Sequence, residues 1–362
     1  MDYHCREGKN MCNLEGKGRS MCRYCRLEKC KEIGMDAEKV VLDYDPTVSQ
    51  KVTNLKTGAE IEEKEEKKEK KDPNLNFKFA PKQRDQLNMK IDFTELVERI
   101  TENFELKDEK PLKNELESLT DALEFFRSDI LDKKDINFVG KAKLEIVVPW
   151  LNARIRKYSI WFSNATYLME TLPMEQKLQL FRTSWNVFRT FERIALTLKI
   201  FGQEALDKNF LLISGNAAMV IDKSHVAFEE ITELTDGYFN HLFYPFFNKY
   251  MEEVGKPMFE MELTTEEVVF CMINLFGVDT TGLTPETMEQ VHKFREIIAD
   301  QMHHYYTNHT NRKMYSHRIM KMMKLVESTK KIAREKAKVK ELIWIFDVYH
   351  ADISDQYFFQ MF

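Results

Sequence analysis

No stretch of 18 or more uncharged apolar residues occurs in the chain, and it does not start with a basic segment running into an apolar one. Neither a membrane-spanning helix nor a signal peptide is read from it, and an intracellular, soluble protein is expected. Catalytic signatures are missing too. The nine histidines form no HExxH, no serine sits in G-x-S-x-G, and no glycine-rich phosphate loop occurs, so no enzyme is expected. His303, His304 and His309 crowd one helix end, but without a paired cysteine or carboxylate motif they read as solvated surface. Cysteine is scarce as well: of six, five lie between Cys5 and Cys30, and Cys271 stands alone in an apolar helical stretch. In a reducing compartment such a cluster holds metal rather than forming disulfides. The net charge of −5 gives no global cue, yet residues 1–40 carry nine Lys or Arg against seven Asp or Glu, a local excess of positive charge.

What is present begins with that cluster. Six residues separate Cys5 from Cys12, nine separate Cys12 from Cys22, and two separate Cys22 from Cys25. Four thiolates close a tetrahedral zinc site, and the last two, three apart, project from one face of a helix running toward Gly34. So short a segment has little core of its own, so zinc binding would supply its folding free energy. Cys30 lies off the ligand face and reads as a small buried hydrophobe. One Zn2+ site is therefore expected, closed and without chemistry of its own.

The sequence Tyr3, Cys5, Cys12, Cys22, Cys25, Arg26, Lys29, Cys30, Gly34, Met35 resembles the second zinc finger of the nuclear hormone receptor DNA-binding domain. One departure is the spacing of the first two cysteines, six residues where the family usually has five, a feature of divergent nematode-type members that alters the loop used for dimer contacts. The family's first finger, with the helix that reads bases, would precede Tyr3. Its absence suggests a fragment, a truncated isoform or an incomplete gene model. The resemblance gives Arg19, Arg26 and Lys29 the role of DNA phosphate contacts. These position a protein without reading sequence, so DNA binding by this chain is expected to be weak and salt-sensitive.

Residues 41–83, including "AEIEEKEEKKEKKDPNLNFKFAPKQ", mix charges of both signs with few large apolar residues and read as a flexible linker. From 84 to 362 the apolar period becomes helical, and glycine and proline are sparse (12 and 9 in the whole chain). Asp92 with Glu95 and Thr264 with Glu267 have capping-box spacing, Thr284 precedes Pro285 at a helix start, and Leu172–Pro173 breaks one helix and starts another. "NFLLISGNAAMVI", Asn209 to Ile221, predicts a two-stranded hairpin. Roughly nine or ten helices and a hairpin suggest stacked layers.

Leu-Pro-x-Glu-x-Lys from Leu172 to Lys177, with Trp185 eight residues on, resembles the signature of the nuclear receptor ligand-binding domain, and so does Met261 to Thr284. The resemblance implies a mainly α fold: a partial zinc-finger module over 1–40, then a three-layer α-helical ligand-binding domain over 84–362 with a small β-hairpin. It also implies a cavity for a lipophilic ligand and a terminal helix closing a groove for co-regulator helices. Phe358, Gln360 and Met361 fall on the terminal pattern, with Gln360 where relatives carry Glu. An ungapped count back from Lys177 puts Asn164 where they carry the clamp's Lys. With the charge-assisted bonds lost, weak or unconventional coactivator binding is expected at Asn164, Lys177, Phe358, Gln360 and Met361. Phe162, Met169, Phe188, Phe210 and Met219 are cavity candidates that also suit plain core, so the ligand itself is not readable. Met314 to Ala333 matches the family's dimer helix, implying a homo- or heterodimer with another nuclear receptor. The reading is a nuclear transcription factor. The alternative is a truncated interaction protein, unable to bind DNA, that titrates receptor partners or co-regulators.

Overall fold

A computed structural model describes residues 5, 24–25, 89–105, 113–227, 231–232, 236–310, 312, 314–345, 348 and 351–359, the side chains of 225, 236–241 and 344 excepted. The chain divides into two units, Met1–Leu75 and Asn76–Phe362, each taken by itself below. The stretch read as a linker lies outside the described residues, as does most of the cysteine cluster. In the first unit Tyr24 and Cys25 are helical, and Cys25 is buried.

Among the described residues the second unit has eleven α-helices: α1 (Thr94–Glu105), α2 (Glu115–Arg127), α3 (Leu144–Ser163), α4 (Thr166–Thr171), α5 (Met174–Phe201), α6 (Gln203–Asp207), α7 (Asp236–Tyr250), α8 (Lys256–Met261), α9 (Thr265–Asn274), α10 (Pro285–Asn308) and α11 (Ser316–Ile345). That exceeds the nine or ten expected because α4, α6 and α8 are only five or six residues long, too short to show a period in sequence. The start signals behave as their chemistry dictates. Asn114 and Thr264 close full capping boxes with Glu117 and Glu267, while Thr284 caps α10 ahead of Pro285. Pro173 ends the segment after α4 and begins α5. The expected box at Asp92 is half made. Asp92 Oδ1 accepts from the Thr94 amide at 2.9 Å, but Glu95 turns outward to Arg99, with Oε1 2.7 Å from Nη2.

Helices α5 and α9 are buried nearly all round, which makes them the middle of the fold. α3 packs on α5 from one side together with α1, and α11 packs on α5 and α9 from the other. α2 and α10 cover α9. Fully buried Trp161, Phe162, Phe181, Trp185, Phe188 and Phe276 interlock where these layers meet; Phe188 and Phe276 meet edge to face at 4.7 Å. The predicted hairpin is present as β4 (Phe210–Leu212) antiparallel to β5 (Ala217–Val220), with β2 (Asn137–Phe138) added parallel to β5. Next to it β3 (Lys141–Lys143) pairs parallel with β6 (His225–Ala227). At the far end of the sequence β7 (Ala351–Ile353) pairs parallel with β1 (Met89–Ile91), so the chain's last described segment is tied to the strand before α1.

A polar lock joins α9 to its neighbours. Glu267, buried, accepts from Arg318 Nη2 at 2.5 Å through Oε2 and from the Tyr306 hydroxyl through Oε1, while Arg318 Nη1 donates to the Met261 carbonyl at 2.7 Å. Replacing Glu267 with Ala takes the carboxylate from Arg318, which keeps only backbone carbonyls, and the acceptor from Tyr306, and urea unfolding of Glu267→Ala is expected to show a loss of about 3–5 kcal/mol.

Candidate functional site

In the first unit the thiols of Cys5 and Cys25 stand 3.6 Å apart. A disulfide needs about 2.05 Å between sulfurs. Thiolates held tetrahedrally at about 2.3 Å from zinc are roughly 3.8 Å apart, so the pair fits two corners of a zinc site. Cys12, Cys22, Arg19, Arg26 and Lys29 lie outside the described residues. Within those residues no group of three or more His, Cys, Asp or Glu is gathered.

The residues expected at a co-regulator groove divide. Lys177, Phe181 and Trp185 are four apart on α5 and so share a face. Phe358, fully buried, lies on that face, its ring centroid 6.1 Å from Phe181 and 6.3 Å from Trp185. Phe93, just before α1, covers the same ring at 6.1 Å. The tail is fastened further by the Arg182–Asp355 ion pair at 3.0 Å and by the Trp185 indole N–H donating to the Tyr357 carbonyl at 2.8 Å. Asn164 follows α3, and its side-chain amide donates to the Ile160 carbonyl at 2.8 Å, which turns it back onto its own helix. Gln360 and Met361 lie outside the described residues.

The structure also contains a cavity of about 70 Å3 between α3, α5, α7 and the strands. Val147, Trp150 and Leu151 of α3, Leu211 and Met219 of the hairpin, Val226 of β6 and Phe247 of α7 supply an apolar wall. Of the five side chains suggested by sequence, Met219 alone lines it. Phe162 and Phe188 belong to the aromatic interior, and Phe210 packs on Phe138 and Phe201.

Three cavity-lining residues that sequence reading missed are Arg154, Arg189 and Arg193. Arg189 and Arg193 are one helical turn apart on α5 and almost wholly enclosed, at 5% and 8% exposure. Arg193 Nε donates to the Leu212 carbonyl at 2.7 Å, Arg189 Nη2 donates to Asn186 Oδ1 at 2.8 Å, and the Arg189 guanidinium lies 5.0 Å over the Trp185 ring. Arg154 reaches Glu192 at 3.3 Å, while its Nε makes no hydrogen bond. Burial, and then the neighbouring guanidiniums of Arg189 and Arg154, disfavours the charge on Arg193. Arg189 is pushed down to about 10, chiefly by burial. The available signal was an arginine pair at helical spacing inside an otherwise apolar stripe.

Two lysines of α11 extend this positive region. Lys336, buried, lies 5.8 Å over the Phe247 ring; burial and then Lys340, Arg189 and Arg193 drive it well below the ordinary range for an amine. Lys340 is pushed down to about 7 by burial and Arg189, against the pull of Asp279. Lys340 carries more proton in the unfolded chain than in the folded one between about pH 7 and its ordinary value, and Lys336 is shifted in the same direction, so stability rises with pH across that interval. Cys271, Tyr158, Tyr250 and Tyr306, whose buried acids are shifted up, reverse the trend near and above pH 9 to 10. Urea midpoints are therefore expected to increase from pH 7 to about pH 9, and Lys340→Met is expected to flatten that increase; an equally steep rise in the variant would remove Lys340 as its source.

Comparison with known proteins matches two regions. Residues 132–346 match the family described as the ligand-binding domain of nuclear hormone receptor, and residues 1–37 match the double treble clef zinc finger, C4 type. The chain is 26% identical over 356 residues to nuclear hormone receptor family member nhr-213 of Caenorhabditis elegans, covering 98% of this chain and 84% of that protein. It is 24% identical to family member nhr-130 and 23% to nhr-54 of the same organism, covering 99% of this chain and 83% and 88% of those proteins. No helix among the described residues is long and apolar enough to cross a membrane. With a ligand-binding-domain match over more than half its length and a C4 zinc-finger match ahead of it, the chain belongs to the nuclear hormone receptor family, whose members are receptor-type transcription factors.

Proposed function

We propose that this chain acts in the nucleus as a ligand-modulated transcription factor. Residues 1–40 would be its second zinc finger, 41–83 its linker, and 84–362 its ligand- and co-regulator-binding domain. The observation that carries the reading is the combination, in one chain, of a cysteine pair at zinc-site distance and a helical domain that encloses a largely apolar cavity. Cys5, Cys12, Cys22 and Cys25 hold one Zn2+, which as a four-thiolate site leaves no open coordination position and serves only to fold the finger. Arg19, Arg26 and Lys29 contact DNA phosphates. Phe358, buried against α5, anchors the tail beside a co-regulator surface of Lys177, Asn164, Gln360 and Met361, and without its charged clamp that surface takes partner helices weakly. A second copy or another receptor pairs through the exposed side of α11, where Met320 and Met323 face outward while Met322, Leu325 and Val326 fill the core.

DNA binding tests the reading. Three phosphate contacts give a log–log salt slope of about −2.7, so affinity for a duplex, followed by fluorescence anisotropy, is expected to fall roughly forty-fold between about 50 and 200 mM salt. Chelation of zinc is expected to abolish it. A zinc-loaded chain with no affinity for DNA at low salt would leave the alternative, a protein that titrates receptor partners or co-regulators.

A further inference from the structure

Helix α1 sits on the second unit as a bound partner helix would. Leu96, Ile100 and Phe104, four residues apart, are its buried side chains, and Glu95, Glu98, Arg99, Glu102 and Glu105 form an exposed, charged back. It packs on α3 and α5, where Phe104 meets Phe162 at 5.3 Å and Phe181 at 5.7 Å. Among the described residues its ion pair, Glu95 with Arg99, stays within the helix. Its side-chain hydrogen bond to the body of the unit runs from Asn103 Nδ2 to Ser159 Oγ at 2.9 Å. Apolar anchors at a regular spacing, little polar contact and a charged back are what a helix laid in a groove presents. α1 also precedes residues 132–346, the part that matches the ligand-binding domain family.

The surface beneath α1 is continuous with the one proposed for co-regulators. Phe181 stands one turn from Lys177 on α5, and Phe358, on the same face, is covered by Phe93 at the foot of α1. Lifting α1 and Phe93 uncovers Phe162, Phe181 and one side of Phe358 together, three rings that are fully buried while α1 is in place. A bare apolar patch of that kind is a site for another protein segment.

We propose that the α3–α5 surface under α1 is a helix-binding site that α1 fills in cis, and that a partner helix with apolar side chains at the same four-residue intervals enters by displacing it. The proposal rests on reading this face as the co-regulator surface and adds what guards it. Weak partner binding then has a cause besides the neutral clamp, because a tethered competitor acts at high effective concentration. Release of α1 also acts on the tail, since the β1–β7 pairing is three residues long and the Phe93 amide is bonded to Ser354 Oγ.

The test uses the full chain and a fluorescein-labelled peptide of residues 92–105 as the partner helix, followed by anisotropy. Leu96→Asp with Ile100→Asp puts carboxylates where α1 needs apolar anchors, and the peptide is expected to bind this released chain at least about tenfold more tightly than the unsubstituted one. The peptide carrying the same two substitutions is expected to bind neither. Equal affinity of the unaltered peptide for both chains, or for neither, would overturn the proposal. Restoring the clamp in the released chain with Asn164→Lys and Gln360→Glu is expected to tighten the peptide further, through charge-assisted bonds to its ends. A gain on release without a gain on restoration leaves the cis site standing and sinks the co-regulator role of the clamp positions. Hydrogen exchange on the unsubstituted chain decides without any variant. The amides of α1 are expected to exchange through an opening that leaves α5 and α9 protected, and exchange of α1 only together with them would make it integral core and overturn the proposal.

Discussion

The buried carboxylate of Glu192 is the interaction on which the second unit depends. It lies in α5, the helix every layer touches, and it accepts from Arg127 of α2, Arg154 of α3 and the Tyr158 hydroxyl of α3 at 2.9 Å. Three positions on two other helices are thereby tied to one point of the central helix. A carboxylate with no solvent is tolerable only when its lone pairs are taken up, and here two guanidiniums and a phenol do so. The arrangement fixes how α2 and α3 sit on α5. It also leaves Arg127 and Arg154 sharing one carboxylate between them.

A second constraint acts at the opposite half of α5. Segments remote in sequence meet there: Phe93 precedes α1, Phe358 belongs to the tail, and β1 pairs with β7 between them. The Phe93 amide donates to Ser354 Oγ at 2.7 Å, so strand pairing and side-chain bonding reinforce each other. On α1, Leu96, Ile100 and Phe104 are buried at intervals of four, and Phe104 packs on Phe162 of α3 and Phe181 of α5 at 5.3 and 5.7 Å. The chain therefore covers this apolar face with a helix of its own, anchored at the spacing that helix-in-groove recognition uses. Entry of the chain into the domain and its exit from it are mechanically one assembly.

Much of this could be read in the sequence where the signal is local. The Thr264–Glu267 box, the Pro173 break and the Asn209–Ile221 hairpin depend on residues within a few positions of each other, and the structure has all three. The pairing of β1 with β7 could not be read, because three-residue strands far apart in sequence carry no period and no turn between them. Phe358 illustrates the intermediate case. Its place in an apolar terminal pattern was visible, but the rings that bury it come from Phe93 and α5, which only the fold assembles. The arginines failed for a different reason: a charged residue in a helical stripe is by default a surface residue, and burial of Arg189 and Arg193 contradicts that default. Such exceptions concentrate where a fold serves something besides its own stability.

The distribution of cation types around the cavity follows from what each can do with its charge. Lysines that are buried have an exit, since the amine can release its proton, and Lys336 and Lys340 on α11 are both driven in that direction. They stand outside the lining, where their neutral forms cost the fold little. Arginine has no such exit near neutral pH, and the guanidiniums are the cations that face the cavity. A wall of lysines would offer an incoming molecule a charge that depends on pH and on its neighbours. A wall of arginines keeps its charge across that range.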